Sequence, residues 1–255
     1  MQDPRHMPPP EGRDPVDASD AGRPVARPSE PAFNIPSVIL VLLALMAAIH
    51  LLREFVLTRD QDVALLLRAA YIPARYGLEG GIDLFAFTSP VTYSLLHGSW
   101  AHLAVNSVWL AAFGSPLAVR LGIARFLAFW VVTAIASVAL HHAFHSGEMI
   151  PVIGASGAIS GMMGAAARFG FAMSADGRGR AFTGRLLTFR EVFAARAVLT
   201  FLGVWFAVNL VTGLGFAGGP SIAWEAHVGG FLAGFLLIGL IDPFSGRAHG
   251  RAKNF

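Results

Sequence analysis

The sequence predicts an all-α polytopic membrane protein with six transmembrane helices, a helical bundle carrying a structured first loop. Two observations lead there. The 255 residues are 55% hydrophobic and only 14% charged, against about 25% charged in ordinary soluble domains. The charges are also segregated: neither Ala32 to Leu52 nor Ala197 to Trp224 contains a Lys, Arg, Asp or Glu. Runs of that kind match the roughly 20 residues that cross a hydrocarbon layer about 30 Å thick. In lipid each unpaired backbone group costs several kcal/mol, so the spans are expected to be helical.

Residues 1–34 carry Pro4, Pro8, Pro9, Pro10, Pro15, Pro24, Pro28 and Pro31 among charges. Such a composition buries too little apolar surface to offset ordering entropy and reads as a disordered cytoplasmic tail. The apolar run after it lacks the small-residue cleavage site of a secretory signal. The membrane domain is expected over residues 35–242, with a cytoplasmic C-terminal tail at 243–255. Its first span is about Ser37–Leu52. Arg53 to Trp100 mixes charges with apolar stretches and reads as a structured loop of short amphipathic pieces at the membrane surface. The second span is about Ala101–Ala118 and the third Ile123–His142. The fourth, Ser156–Phe171, is short for a crossing. The fifth is Glu191–Gly213 and the sixth Ile222–Ile241.

Positive charge sets the expected direction. Arg178, Arg180, Arg185 and Arg190 separate spans four and five, Arg120 and Arg125 flank the junction of two and three, and Arg247, Arg251 and Lys253 lie in the tail. The connections three–four and five–six contain no Lys or Arg. Positively charged loops stay in the cytoplasm, which puts both termini there. Arg53, Arg59, Arg68 and Arg75 in the first loop run against this rule. Arg168 and Arg196, near inner span ends, are expected to snorkel to headgroups.

In this arrangement the outer ends of three spans carry polar residues at similar depth, and ionisable or polar groups inside a membrane point to function. Ser156 opens span four in G-A-S-G, where Gly154 and Gly157 allow a tight turn and close approach. The unpaired N–H groups of a helix start, that of Ser156 included, can face developing negative charge. The plainer reading is an N-cap serine beside packing glycines. His227 in A-H-V-G-G-F-L-A-G can take a proton from a serine hydroxyl. Gly230 and Gly234 lie on the same face as His227, so spans four and six are expected to pack closely; the plainer reading is a structural histidine. His102 and Asn106, four apart on span two, can both donate to an oxyanion, or Asn106 can simply bond between helices. His97, outside the span, is expected to anchor the loop. No carboxylate is placed to orient His227: Glu225 points elsewhere and Asp242 lies at the other membrane side. A Ser156–His227 dyad is therefore expected, rather than a triad.

Several chemistries have no matching residues. There is no Cys, hence no disulfide or thiolate nucleophile. No nucleic-acid motif, P-loop, dinucleotide fingerprint, H-E-x-x-H helix or intramembrane aspartate pair occurs. His141, His142 and His145 include a pair four apart, but only Glu148 follows nearby, so neither a metal nor a cofactor is expected. Asn209 and Glu225 are further polar groups at membrane depth, too few to mark a transport path.

The set H-G-S-W-A-H-L-A-V-N (97–106), G-A-S-G (154–157) and A-H-V-G-G-F-L-A-G (226–234) resembles the rhomboid family of intramembrane serine proteases, in the family's order and on its second, fourth and sixth helices. The resemblance runs from about Pro36 to Ile241 and fits a bacterial-type six-helix member in the inner (plasma) membrane. It implies Ser156 as nucleophile and His227 as general base. His102, Asn106 and the Ser156 N–H match the oxyanion site, and Gly154 and Gly157 the turn glycines. It also implies single-span membrane proteins as substrates, with helix-destabilising segments and small residues at the cut, and no cofactor. Two features depart from the pattern. Ser160 stands where some members stack an aromatic on the histidine, and the first loop lacks a Trp-Arg pair. A non-catalytic member that binds membrane substrates, and a transporter with charges at the membrane midplane, are the competing readings.

Overall fold

Pro36, with ψ 145°, occupies the N-cap position of helix α1, Ser37–Phe55. The computed structural model describes residues 35–77, 83–176, 179–214 and 223–244. The expected N-terminal tail, and the C-terminal tail beyond residue 244, lie outside the described residues.

The first loop is built from short helices, as its mixed composition suggested. Helix α2, Arg59–Ala69, starts at a capping box in which Thr58 and Gln61 satisfy each other's backbone N–H groups. A 3-10 turn at Pro73–Tyr76, helix α3 at Leu84–Thr92 and a second 3-10 turn at Tyr93–Leu95 follow. Arg53 ties α1 to this loop, bonding Asp62 at 2.6 Å and the His97 carbonyl at 2.7 Å. The anchoring expected of His97 thus runs through its backbone carbonyl.

Helix α4, Trp100–Trp109, continues through a π-helical turn at Leu110–Gly114 into α5, Ser115–Leu121. Helix α6 spans Ile123–His145 and α7 Ser156–Arg168. A two-stranded antiparallel hairpin follows, β1 Met173–Asp176 and β2 Gly179–Phe182, pairing Met173 with Phe182. The expected fifth span is divided at Ala195 into α8, Phe189–Ala194, and α9, Arg196–Gly213. Thr188 and Glu191 form a capping box that starts α8 as a separate element. Helix α10, Trp224–Ile241, completes the bundle.

Five of these stretches are long and apolar enough to cross a membrane: Ser37–Phe55, Trp100–Leu121, Ile123–His145, Arg196–Gly213 and Trp224–Ile241. Their outward faces carry large apolar side chains such as Val41, Val108, Val204 and Leu240, the surface expected of helices solvated by lipid. The architecture is an all-α polytopic membrane fold. Helix α7 differs in kind. Its 13 residues reach about 20 Å at 1.5 Å per residue, and nearly all are buried, from Gly157 to Ala167. It packs against α6 and α10 as the bundle's core.

Small residues make that core possible. A Cβ on Gly230 would overlap the Gly157 carbonyl, and one on Gly234 would overlap the Gly161 carbonyl. The two helix backbones therefore touch along the face that the glycine spacing predicted. Arg120, at the far end of α5, closes the opposite end. It bonds both carboxylate oxygens of Asp242 at 2.9 and 2.8 Å and the carbonyls of Phe182 and Gly184. Arg168, expected to reach the headgroups, donates to the Leu187 and Phe235 carbonyls, both at 3.0 Å, and its guanidinium lies over the Phe189 and Phe235 rings.

Candidate active site

The starts of α4, α7 and α10 and the ends of α6 and α9 meet around one cavity of about 1210 Å³, lined by Tyr93, His102, Asn106, Ser156, His227 and Asn209 among others. The loop entering α7 is fixed by the first-loop segment. Tyr71 and Val152 exchange backbone hydrogen bonds at 3.1 and 2.8 Å, and the Gly154 N–H donates to the Tyr93 carbonyl at 3.0 Å. Gly154 has φ +125°, and a Cβ there would stand 2.7 Å from His102 Nε2. Only glycine meets both conditions. The chain then turns at Ala155 and Ser156 becomes the first residue of α7.

Ser156 and His227, 71 residues apart, are brought into direct contact: Ser156 Oγ lies 2.7 Å from His227 Nε2. The other ring nitrogen is also held. Nδ1 of His227 lies 2.5 Å from Asn209 Oδ1 on α9. The direction of that bond follows from Asn209 itself. Its amide Nδ2 donates to the Trp205 carbonyl one turn back at 2.7 Å, which leaves Oδ1 as the acceptor facing α10. His227 Nδ1 must then carry the proton, and the Nε2 lone pair faces the serine hydroxyl, the tautomer a general base requires. Asn209 is the one buried polar residue on a helix whose only other buried side chain is Val198. The sequence reading noted Asn209 as a polar group at membrane depth and missed this contact. Its signal was an uncharged amide in an otherwise apolar run.

His102 and Asn106 line the same cavity. The Gly98 N–H approaches His102 Nδ1 at 3.5 Å, and Nε2 is the ring nitrogen against the Gly154 turn. Asn106 is buried and gives one amide hydrogen to the His102 carbonyl at 3.0 Å, keeping its second for the cavity. The first N–H groups of α7, that of Ser156 included, have no carbonyl within the helix to bond. His102, Asn106 and the start of α7 thus line the cavity that also holds Ser156. Ser160 is buried in α7, and the side chain in contact with the Nδ1 edge of the His227 ring is Asn209.

His141 and His145, at the end of α6, stack at 4.4 Å between ring centroids and face Glu225 in the first turn of α10. The sequence spacing showed the histidine pair without this carboxylate, which comes from a helix 80 residues further on.

The family model described as Rhomboid domain matches residues 85–243 of the chain, a stretch that holds every residue of the cavity named above. No curated protein matches the chain.

Proposed function

On the premise that this chain belongs to the rhomboid family, we propose that it is an intramembrane serine endopeptidase that cuts single-span membrane proteins with Ser156 and His227. The observation that carries the reading is the 2.7 Å contact of Ser156 Oγ with the unprotonated nitrogen of His227, itself oriented by Asn209. A nucleophile, a base within hydrogen-bond reach and a third group that orients the base make up the arrangement for covalent catalysis by serine.

The reaction runs as an acyl transfer. Ser156 Oγ attacks the scissile carbonyl while His227 Nε2 takes the hydroxyl proton. The imidazolium formed is stabilised by the Asn209 carbonyl oxygen at Nδ1. His102, Asn106 and the Ser156 N–H hold the oxyanion of the tetrahedral intermediate. His227 returns its proton to the leaving amine, and a water then hydrolyses the Ser156 ester by the same path. A substrate segment must unwind first, because a helical carbonyl is already hydrogen-bonded. Substrates with helix-destabilising segments and small residues at the cut fit a cavity bounded by Gly98, Gly154 and Gly157.

In this proposal α7 counts as a sixth, short span of a bacterial-type inner-membrane enzyme, with both termini cytoplasmic. Its start lies below the outer surface, because about 20 Å of helix cannot cover a hydrocarbon layer of about 30 Å. Water reaches Ser156 through the cavity. The test is cleavage of a panel of single-span reporters in liposomes. Wild type cuts, and folded Ser156→Ala and His227→Ala do not. A fluorophosphonate probe labels wild type only. Equal labelling of Ser156→Ala overturns the assignment.

A further inference from the structure

The cluster at the junction of α6 and α10 has a problem that a proton alone does not solve. His145 Nδ1 lies 2.8 Å from Glu148 Oε1, and its Nε2 lies 3.2 Å from Glu225 Oε1. A neutral imidazole has one N–H. If Nδ1 donates to Glu148, the Nε2 lone pair points at a carboxylate oxygen. Beside it, Nδ1 of the buried His141 has no hydrogen-bond partner among the described residues and stands 3.6 Å from Glu225 Oε2. Protonating His145 would relieve one of these contacts and leave His141 as it is. A cation between the three groups relieves both.

We propose that His141, His145 and Glu225 form a binding site for a divalent transition-metal ion of the Zn²⁺ type, with Glu148 as the outer partner that fixes His145. The ligand atoms of the three residues lie within 4.8 Å of one another. Two ligands each about 2.0–2.1 Å from a tetrahedral ion stand about 3.3 Å apart, close to the observed 3.2 and 3.6 Å. Two imidazoles and one carboxylate suit Zn²⁺, whereas Ca²⁺ and Mg²⁺ take oxygen shells. The Glu148–His145 contact reproduces the arrangement in which a ligating histidine donates its other N–H to a carboxylate. Two carboxylates and a divalent ion also sum to no net charge, which favours the site where Glu225 is buried. The spacing His-x-x-x-His puts both imidazoles on one face of α6, and tertiary packing brings Glu225 to them.

The test uses the full chain, free of any affinity tag and stripped with EDTA, in detergent micelles. Zn²⁺ is titrated in competition with a fluorescent chelator, and Co²⁺ is followed by its visible absorption. The expected result is one ion per chain with a tetrahedral Co²⁺ spectrum, unaffected by millimolar Ca²⁺. Binding is lost in His141→Ala and Glu225→Gln. It is weakened about 10- to 100-fold in Glu148→Gln, as for other outer-shell partners, and this last variant alters only an exposed connection. Ser156→Ala binds as wild type does, so the result does not depend on proteolysis. Absence of stoichiometric binding by wild type overturns the proposal, as does binding that survives both His141→Ala and Glu225→Gln.

Discussion

Replacing Asn209 by Leu removes the acceptor at His227 Nδ1 while keeping a side chain of similar size. In the resting enzyme the loss is one hydrogen bond to a neutral ring. As Ser156 attacks, the ring becomes an imidazolium, and the same bond becomes one to a charged group. Such bonds contribute about 1.5–3 kcal/mol. The resting bond to the neutral ring contributes about 0.5–1.5 kcal/mol, so about 1–1.5 kcal/mol of the loss falls on the transition state alone, and at 1.36 kcal/mol for each tenfold change in rate the expected fall in kcat is about 5- to 13-fold. Binding of the substrate segment does not involve Asn209 Oδ1, which is 2.5 Å from His227 and committed to it, so KM stays near its wild-type value. The assay is turnover of a single-span reporter in liposomes, paired with the rate of fluorophosphonate labelling. Labelling tests activation of Ser156 without any substrate helix and should fall in parallel with kcat. A folded Asn209→Leu enzyme with unchanged kcat and labelling, or with a loss confined to KM, refutes the assignment of Asn209 as the residue that positions His227.

Gly234→Ala places a methyl group against the Gly161 carbonyl. It should cost about 1–3 kcal/mol through overpacking, read as a lower melting temperature, and reduce activity by spreading α7 from α10. Asp242→Asn breaks the buried pair with Arg120, whose side chains are 0% and 7% exposed. The expected loss is about 3–5 kcal/mol of stability, with little change in kcat for the folded fraction, since Asp242 caps the C-terminal end of α10 and His227 lies near its start. Burial, with His102 and His50 adding to it, pushes the His97 imidazole down from 6.5 to about 4. The folded state thus favours the neutral ring, and the stabilisation is full above pH 6.5 and lost as pH falls towards 4. The shift corresponds to about 3 kcal/mol, and His97→Asn should flatten the acid limb of the stability profile between those values.

The sequence shows a good deal of the site because depth in a membrane follows from counting residues. Ser156 at the start of one apolar run, and His102, Asn106 and His227 near the starts of two others, must lie near a common plane once the spans are drawn. The glycine face of α10 was legible for the same reason, since Gly230 and Gly234 repeat at helical spacing. The break at Ala195 was not, because alanine is a good helix former and nothing in the local sequence marks the junction where α8, started by the Thr188–Glu191 capping box, gives way to α9.

The amino-acid sequence by itself determined the apolar spans, the polar residues at one end of them and the small residues that let α7 meet α10. Only the tertiary structure decided which polar groups touch. That depends on how far each helix is rotated and tilted about its axis, and a rotation of one residue moves a side chain by about 100°. Asn209 reaches His227 because α9 turns that face inward. Glu225 reaches His141 and His145 because α10 packs alongside α6. Helix rotation is set by the fit of all the packed side chains together, which no local stretch of sequence encodes.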